Sequence, residues 1–133
     1  MATRWALMKA EDIGDRGDVL LSRLRVVQTP LFAVYVHVHQ RPDKDRELHD
    51  HPWSFVSIVL SGGYREVRDG LPLVHRRRWT AAYRRAEDLH RIAAVDPGTW
   101  TLLLVGRRRR EWGFVVPGEG WVHWETFVDR GRR

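Results

Sequence analysis

The stretch RELHDHPWSFVSIVLSGGYREV, residues 46–67, decides how the rest of the chain is read. His49 and His51 stand one residue apart, Pro52 and Trp53 follow at once, and an apolar run leads into Gly62-Gly63. On an extended strand, side chains two apart point to the same face, so the two imidazoles project together. Such a pair is either half of a site for Fe, Zn, Mn, Ni or Cu, or two polar residues on the rim of a strand. Asp50, between them, alternates away from it.

Outward from this stretch, the chain reads as short strands between turns. VLLSRLRVVQT, from Val19 to Thr29, is rich in β-branched residues and is halted by Pro30. LFAVYVHVHQ follows, and a charged turn-rich loop, RPDKDREL, precedes the opening stretch. YREVRDG reads as the returning arm of a hairpin at Gly62-Gly63. Further strands are predicted at LVHRRRWTAAYRR, HRIAAV, TWTLLLVG, EWGFVV and WVHWETFV, with residues 3 to 12 the one candidate for a short helix. No longer segment has helical periodicity, and the regular spacing of strands predicts an all-β sandwich or barrel. At 133 residues there is room for one domain, residues 1–133, with one core.

Composition narrows the chemistry. There is no cysteine, which excludes disulfides, thiolate ligands and a Cys nucleophile. The opening residues lack a long apolar run, so a cytoplasmic protein without a membrane span is expected. The net charge is +6, and of the 23 basic residues only Lys9 and Lys44 are lysines. Clustered arginine binds phosphate or carboxylate, but no recognition helix or stacking platform accompanies it, so nucleic acid is not the expected partner.

A third imidazole comes from YRRAEDLHRIAAVDPG, where His90 opens a strand after a polar turn. The set His49-x-His51, the apolar strand with Val59-Leu60-x-Gly62, and His90 resembles the two motifs of the cupin superfamily over roughly residues 47–95. HDHPWSFVSIVLSGGY, RRAEDLHRI and TLLLVGRRRREWGF resemble, more narrowly, small cupin-like proteins of bacteria and their phages. What the resemblance implies is a jelly-roll barrel, the double-stranded β-helix, holding a divalent metal on His49, His51 and His90. The chain departs from the family where a glutamate is expected. Phe55 or Val56 stands there, leaving a three-His set similar to that of the thiol dioxygenase branch, unless Glu87 or Glu111 supplies the carboxylate.

Other residues are read around that centre. His37 and His39 share one face of their strand with Tyr35, opposite the apolar Phe32, Val34, Val36 and Val38. If that face is cavity rather than solvent, His37 is a candidate general base and Tyr35 and His39 candidate substrate contacts. Arg84 and Arg85, just ahead of His90, are candidates to clamp an anionic substrate, or else they pair with Glu87 or Asp88. Trp112, Phe114, Trp121 and Trp124 either wall an apolar pocket, Trp112 first, or pack the barrel. His75 and His123 are assigned no role.

The expected function is therefore a metal-dependent enzyme acting on a small, anionic molecule, with non-haem Fe(II) oxygenase chemistry placed first. With Zn or Mn the same site suits an isomerase, lyase or hydrolase, Ni is a further candidate ion, and a non-catalytic small-molecule binding cupin is the third reading. A homodimer is the expected assembly within that family.

Overall fold

The computed structural model describes residues 6–15, 18–43 and 45–131. Twelve strands run in chain order: β1 (Ala6–Asp15), β2 (Asp18–Gln28), β3 (Phe32–His39), β4 (Leu48–His49), β5 (Phe55–Ser61), β6 (Gly63–Arg68), β7 (Val74–Arg77), β8 (Ala81–Arg84), β9 (His90–Val95), β10 (Thr99–Gly106), β11 (Gly113–Val116) and β12 (Gly120–His123). One helix, α1 (Trp124–Gly131), follows them. They form two six-stranded sheets, ordered β1-β2-β3-β10-β5-β8 and β12-β11-β4-β9-β6-β7. Neighbours pair antiparallel; β1, β2 and β3 form a meander in one sheet, and from β3 to β11 the chain passes back and forth between the two sheets, apart from the β6–β7 hairpin.

Alternation along the strands sets what faces inward. In β3, Ala33, Tyr35, His37 and His39 are buried, while Val34, Val36 and Val38 are only half-buried. The histidine-bearing face is the interior, and the valine face looks outward. β10 repeats the arrangement, burying Thr99, Thr101, Leu103 and Val105 and turning Trp100 and Leu104 out. Among the described residues as many polar as apolar side chains are buried, including His37, His39, Glu66, His90 and Thr101. Buried polar groups need partners. The space between the sheets is therefore organised by hydrogen bonds as much as by apolar contact.

Gly62 shows how closely the sheets meet. Its φ is +75°, and a Cβ there would lie 2.5 Å from Thr99 Oγ1. That hydroxyl accepts from the Gly63 N–H at 3.1 Å, so the β5–β6 turn is fastened to the start of β10.

Two predicted elements are corrected. The helix expected over residues 3 to 12 is the strand β1 from Ala6 onward, because pairing along β2 supplies its backbone partners; residues 3–5 lie outside the described residues. The last predicted strand stops at His123, where α1 begins. Glu125 in its first turn and Arg130 in its last suit the helix dipole. α1 is held back on the sheet by Phe127 stacked on Phe114 and Trp124 on Trp112. Among the described residues no helix is long and apolar enough to cross a membrane.

Candidate metal centre

β4 is only two residues long, yet it is paired on both sides: His49 faces His90 of β9 and Phe114 of β11. Two ligand candidates are thus direct cross-strand neighbours. The next two residues are pinned by their backbones, Asp50 N–H to Gly113 O at 3.1 Å and His51 N–H to Ala86 O at 3.0 Å. The side chain of Asp50 fixes the turn from behind. It is buried, and it accepts from Arg110 Nη1 at 2.6 Å, the Gly113 N–H at 2.7 Å and Trp121 Nε1 at 3.0 Å. With Asp50 anchored outward, His49 and His51 are turned together into the interior.

There they meet His90. The ring centroids are 5.1 Å apart for His49–His51, 4.8 Å for His49–His90 and 4.9 Å for His51–His90. One ring nitrogen from each lies within 4.8 Å of the other two. His90 is oriented by Glu66 of β6, whose Oε2 lies 2.6 Å from His90 Nδ1. This leaves Nε2 for the cluster, 3.4 Å from His51 Nε2. Glu66 is fully buried, and its other oxygen is ion-paired with Arg84. Burial alone would raise this carboxyl, but the hydrogen bonds from His90 and Arg84 prevail and hold it down at about 2.

His49 and His51 are neutral at ordinary pH, the form that binds metal. Burial brings His49 down to about 4, and it holds His51 well below the usual range, helped by the neighbouring His90 and His49. His51 Nδ1 is a buried ring nitrogen with no protein partner. Three converging imidazoles, and a 3.4 Å approach that two nitrogens about 2.1 Å from one ion would span, fit a divalent metal. Phe55 fills the place in which a carboxylate was expected. It is buried, its ring is 4.8 Å from that of His51, and Val56 points outward.

The cluster lines a cavity of about 700 Å³ between the sheets. Tyr35, His37, His39 and Trp112 also line it, so four of the predicted contacts come to the same space as the histidines. His37 Nε2 accepts from Arg23 Nε at 2.9 Å, and His39 Nε2 lies 3.2 Å from Thr101 Oγ1. Burial lowers both, His39 to about 4. The remaining predicted residues lie elsewhere. Arg84 is buried against Glu66, and Arg85 is exposed beside Glu87 and Asp88. Glu87 pairs with Arg109, and Glu111 with Arg108 and His123, both at the surface and outside the cavity. Neither glutamate therefore joins the histidine cluster, and neither arginine reaches the cavity.

No protein-family model matches the sequence, and no curated protein matches it. Solved structures do. An RmlC-like cupin from Shewanella frigidimarina is 19% identical and superposes with a TM-score of 0.61 over 83% of this chain and 97% of its own. This chain has the cupin fold. KdgF from Halomonas sp. is similar at 16% identity and a TM-score of 0.62, covering 78% of this chain and 96% of that one. The structure of Fe(II)-HppE with an alternative substrate matches at 13% identity and a TM-score of 0.58, over 74% of this chain and 55% of its own.

Within the cupin fold, reading the sequence missed Glu66, Asp50, Arg23 and Arg25. For Glu66 a signal existed: it shares a face of β6 with Tyr64, which lines the cavity. Arg23 and Arg25 alternate in register with His37 and Tyr35, but that is visible only once β2 is known to pair with β3.

Proposed function

We propose that this cupin is a metal-dependent enzyme acting on a small polar molecule, with a divalent ion held by His49, His51 and His90. The observation that carries the reading is the convergence of three imidazoles on one wall of the cavity between the sheets. Fe(II) is placed first because a three-nitrogen facial set leaves open positions on the ion, and the Fe(II) in the HppE structure supports it. When bound, Fe(II) would supply one-electron chemistry with O2, and Zn or Mn a Lewis acid.

The protein's own residues supply the setting. Glu66 keeps His90 in the tautomer that presents Nε2, and Trp53 and Phe55 pack against His51 so that its ring cannot swing away. Across the cavity, neutral His37 and His39 stand ready to exchange protons. That pair favours the second reading, a Zn- or Mn-dependent isomerase, lyase or hydrolase, which needs proton transfer and no oxidant.

Elemental analysis of protein purified without chelator should find close to one metal per chain. Anaerobic Fe(II) loading followed by nitric oxide should then give a non-haem iron-nitrosyl EPR signal. Bound Zn with no such signal moves the assignment to the second reading. No metal at all, with His49→Ala unchanged in thermal stability, overturns both.

A further inference from the structure

In the first sheet the outward face is more uniformly apolar than the inward one. On β10 the outward residues are Trp100, Leu102 and Leu104, and the register sets an apolar neighbour beside each. Val36, Leu102 and Ile58 form one row across β3, β10 and β5. Val34, Leu104 and Val56 form the next, which Tyr83 of β8 continues. Leu24 of β2 lies beside Val36 and widens the face to five strands. No charged side chain stands in these rows, although 30% of the residues of the chain are charged.

An outward sheet face is ordinarily polar, because water covers it. Here Tyr83 is 61% exposed, Trp100 48% and Leu104 43%, so among the described residues nothing covers them. The helix α1 lies on β11 and β12 of the other sheet. At one rim Trp79, 68% exposed, has a φ of +65°, a left-handed backbone that ordinarily selects glycine. Its N–H donates to Val59 O at 2.7 Å, so β5 holds a bulky ring at the edge of the face in a conformation that works against it. Such strain is retained where a side chain has a contact to make.

Five strands about 4.8 Å apart, each offering three outward residues about 6.8 Å apart, make a face of roughly 24 Å by 20 Å. Two such faces pressed together cover about 1,000 Å², the lower bound for a specific protein–protein interface. Charge decides which partner fits. A second copy carries the same net charge of +6, and two such surfaces associate only where no like charges are brought together. This face meets that condition, and it offers a partner of opposite charge nothing to pair with.

We propose that the chain forms a homodimer through the outer face of β2, β3, β10, β5 and β8, with a twofold axis near Leu102. Leu102 is the middle outward residue of the middle strand, so a face turned about it meets its own copy. Twist sets two such sheets at about −30° and about 10 Å apart. Trp100 and Tyr83 supply the aromatic anchors, and Arg78, over the Trp79 ring, stays at the rim. No part of this rests on the metal.

The test is sedimentation velocity of the full chain from about 1 to about 100 μM, across which monomer should give way to dimer. Leu102→Glu sets two carboxylates against each other and should weaken the dimer at least about 100-fold, with the thermal melting of dilute monomer unchanged. Trp100→Ala should weaken it about 30-fold. Leu73→Glu, the same change on an exposed leucine of the β6–β7 loop, should dimerise as the wild type does. Raising salt from about 0.15 to about 0.5 M should not weaken the dimer, since it screens only repulsion. A monomer at every concentration, a dimer that salt takes apart, one that survives Leu102→Glu, or assembly that grows past two chains overturns the proposal. Should Leu102→Glu not fold, Tyr83→Glu, on a side chain already largely in water, takes its place, and a dimer intact in that variant overturns the face as well.

Discussion

His37 and His39 stand on an eight-residue strand inside a continuous ladder between β2 and β10. His49 ends a two-residue strand, and His51 stands in the loop after it. Both pairs have the same spacing, both point into the same cavity, and burial keeps all four imidazoles neutral. They differ in what lies opposite. Across from His37 and His39 the ladder places Arg23, Thr101 and Thr99, so their Nε2 atoms are engaged by neighbours that compete with a metal. Across from His49 it places His90. The spacing of a pair thus brings two imidazoles together, and the strand beside it decides whether a third imidazole joins them, as in the proposed metal site, or they become a hydrogen-bonded wall.

The sharpest way to break this contrast is to remove one histidine from each pair. His49→Ala or His90→Ala should take metal content from near one per chain to near zero by elemental analysis, whereas His37→Ala and His39→Ala should leave it intact. If His37→Ala also empties the site, the two pairs are not separate in function.

Glu66 comes next. Glu66→Ala leaves Arg84 buried without its counter-charge and should lower stability by about 3–5 kcal/mol in chemical denaturation. Glu66→Gln, closer in shape, should weaken metal binding by about 10–100-fold, as expected when the group orienting a ligand is altered. Unchanged affinity in that variant would mean that His90 needs no orientation from β6.

Acid should affect both pairs. An unfolded histidine takes up its proton as pH falls through 6.5, while folded His39 and His49 resist until about 4. Between those values the unfolded chain binds more protons. Stability of the metal-free protein should therefore be full above pH 6.5 and decline as pH falls towards 4, by on the order of 3 kcal/mol for each of these histidines. His39→Asn should remove its share of the decline while metal binding at pH 7 stays as it was. The smallest effect is expected from Thr101→Val, which takes away the partner of His39 at a cost of about 1 kcal/mol and leaves metal content unaltered.

Much of this was legible before folding. Alternation and turn residues were enough for the all-β class and for most strands, and the same-face rule was enough to pair His49 with His51. Where reading the residues stopped, the missing information was lateral. Nothing along β6 says that Glu66 lies beside His90, because the two strands are joined by hydrogen bonds across a sheet and not by sequence. The apolar face of β3 misleads for a related reason: apolar side chains usually mark the inside, yet in a cupin with a polar cavity Val34, Val36 and Val38 form the outer surface. The arginines chosen for their closeness to His90 in sequence, Arg84 and Arg85, are taken up by ion pairs outside the cavity, and those that line it come from β2 and from the segment after β10.

Asp50 has a consequence for how such sites are written down. A pattern spelled H-x-H treats its middle letter as a blank, yet here that letter is tied to Arg110, Gly113 and Trp121. It fastens the proposed ligand pair to β11 and the edge strand β12. A substitution there would detune the proposed site without touching any of its three histidines, and ranking positions by distance from that cluster would place the cause too low.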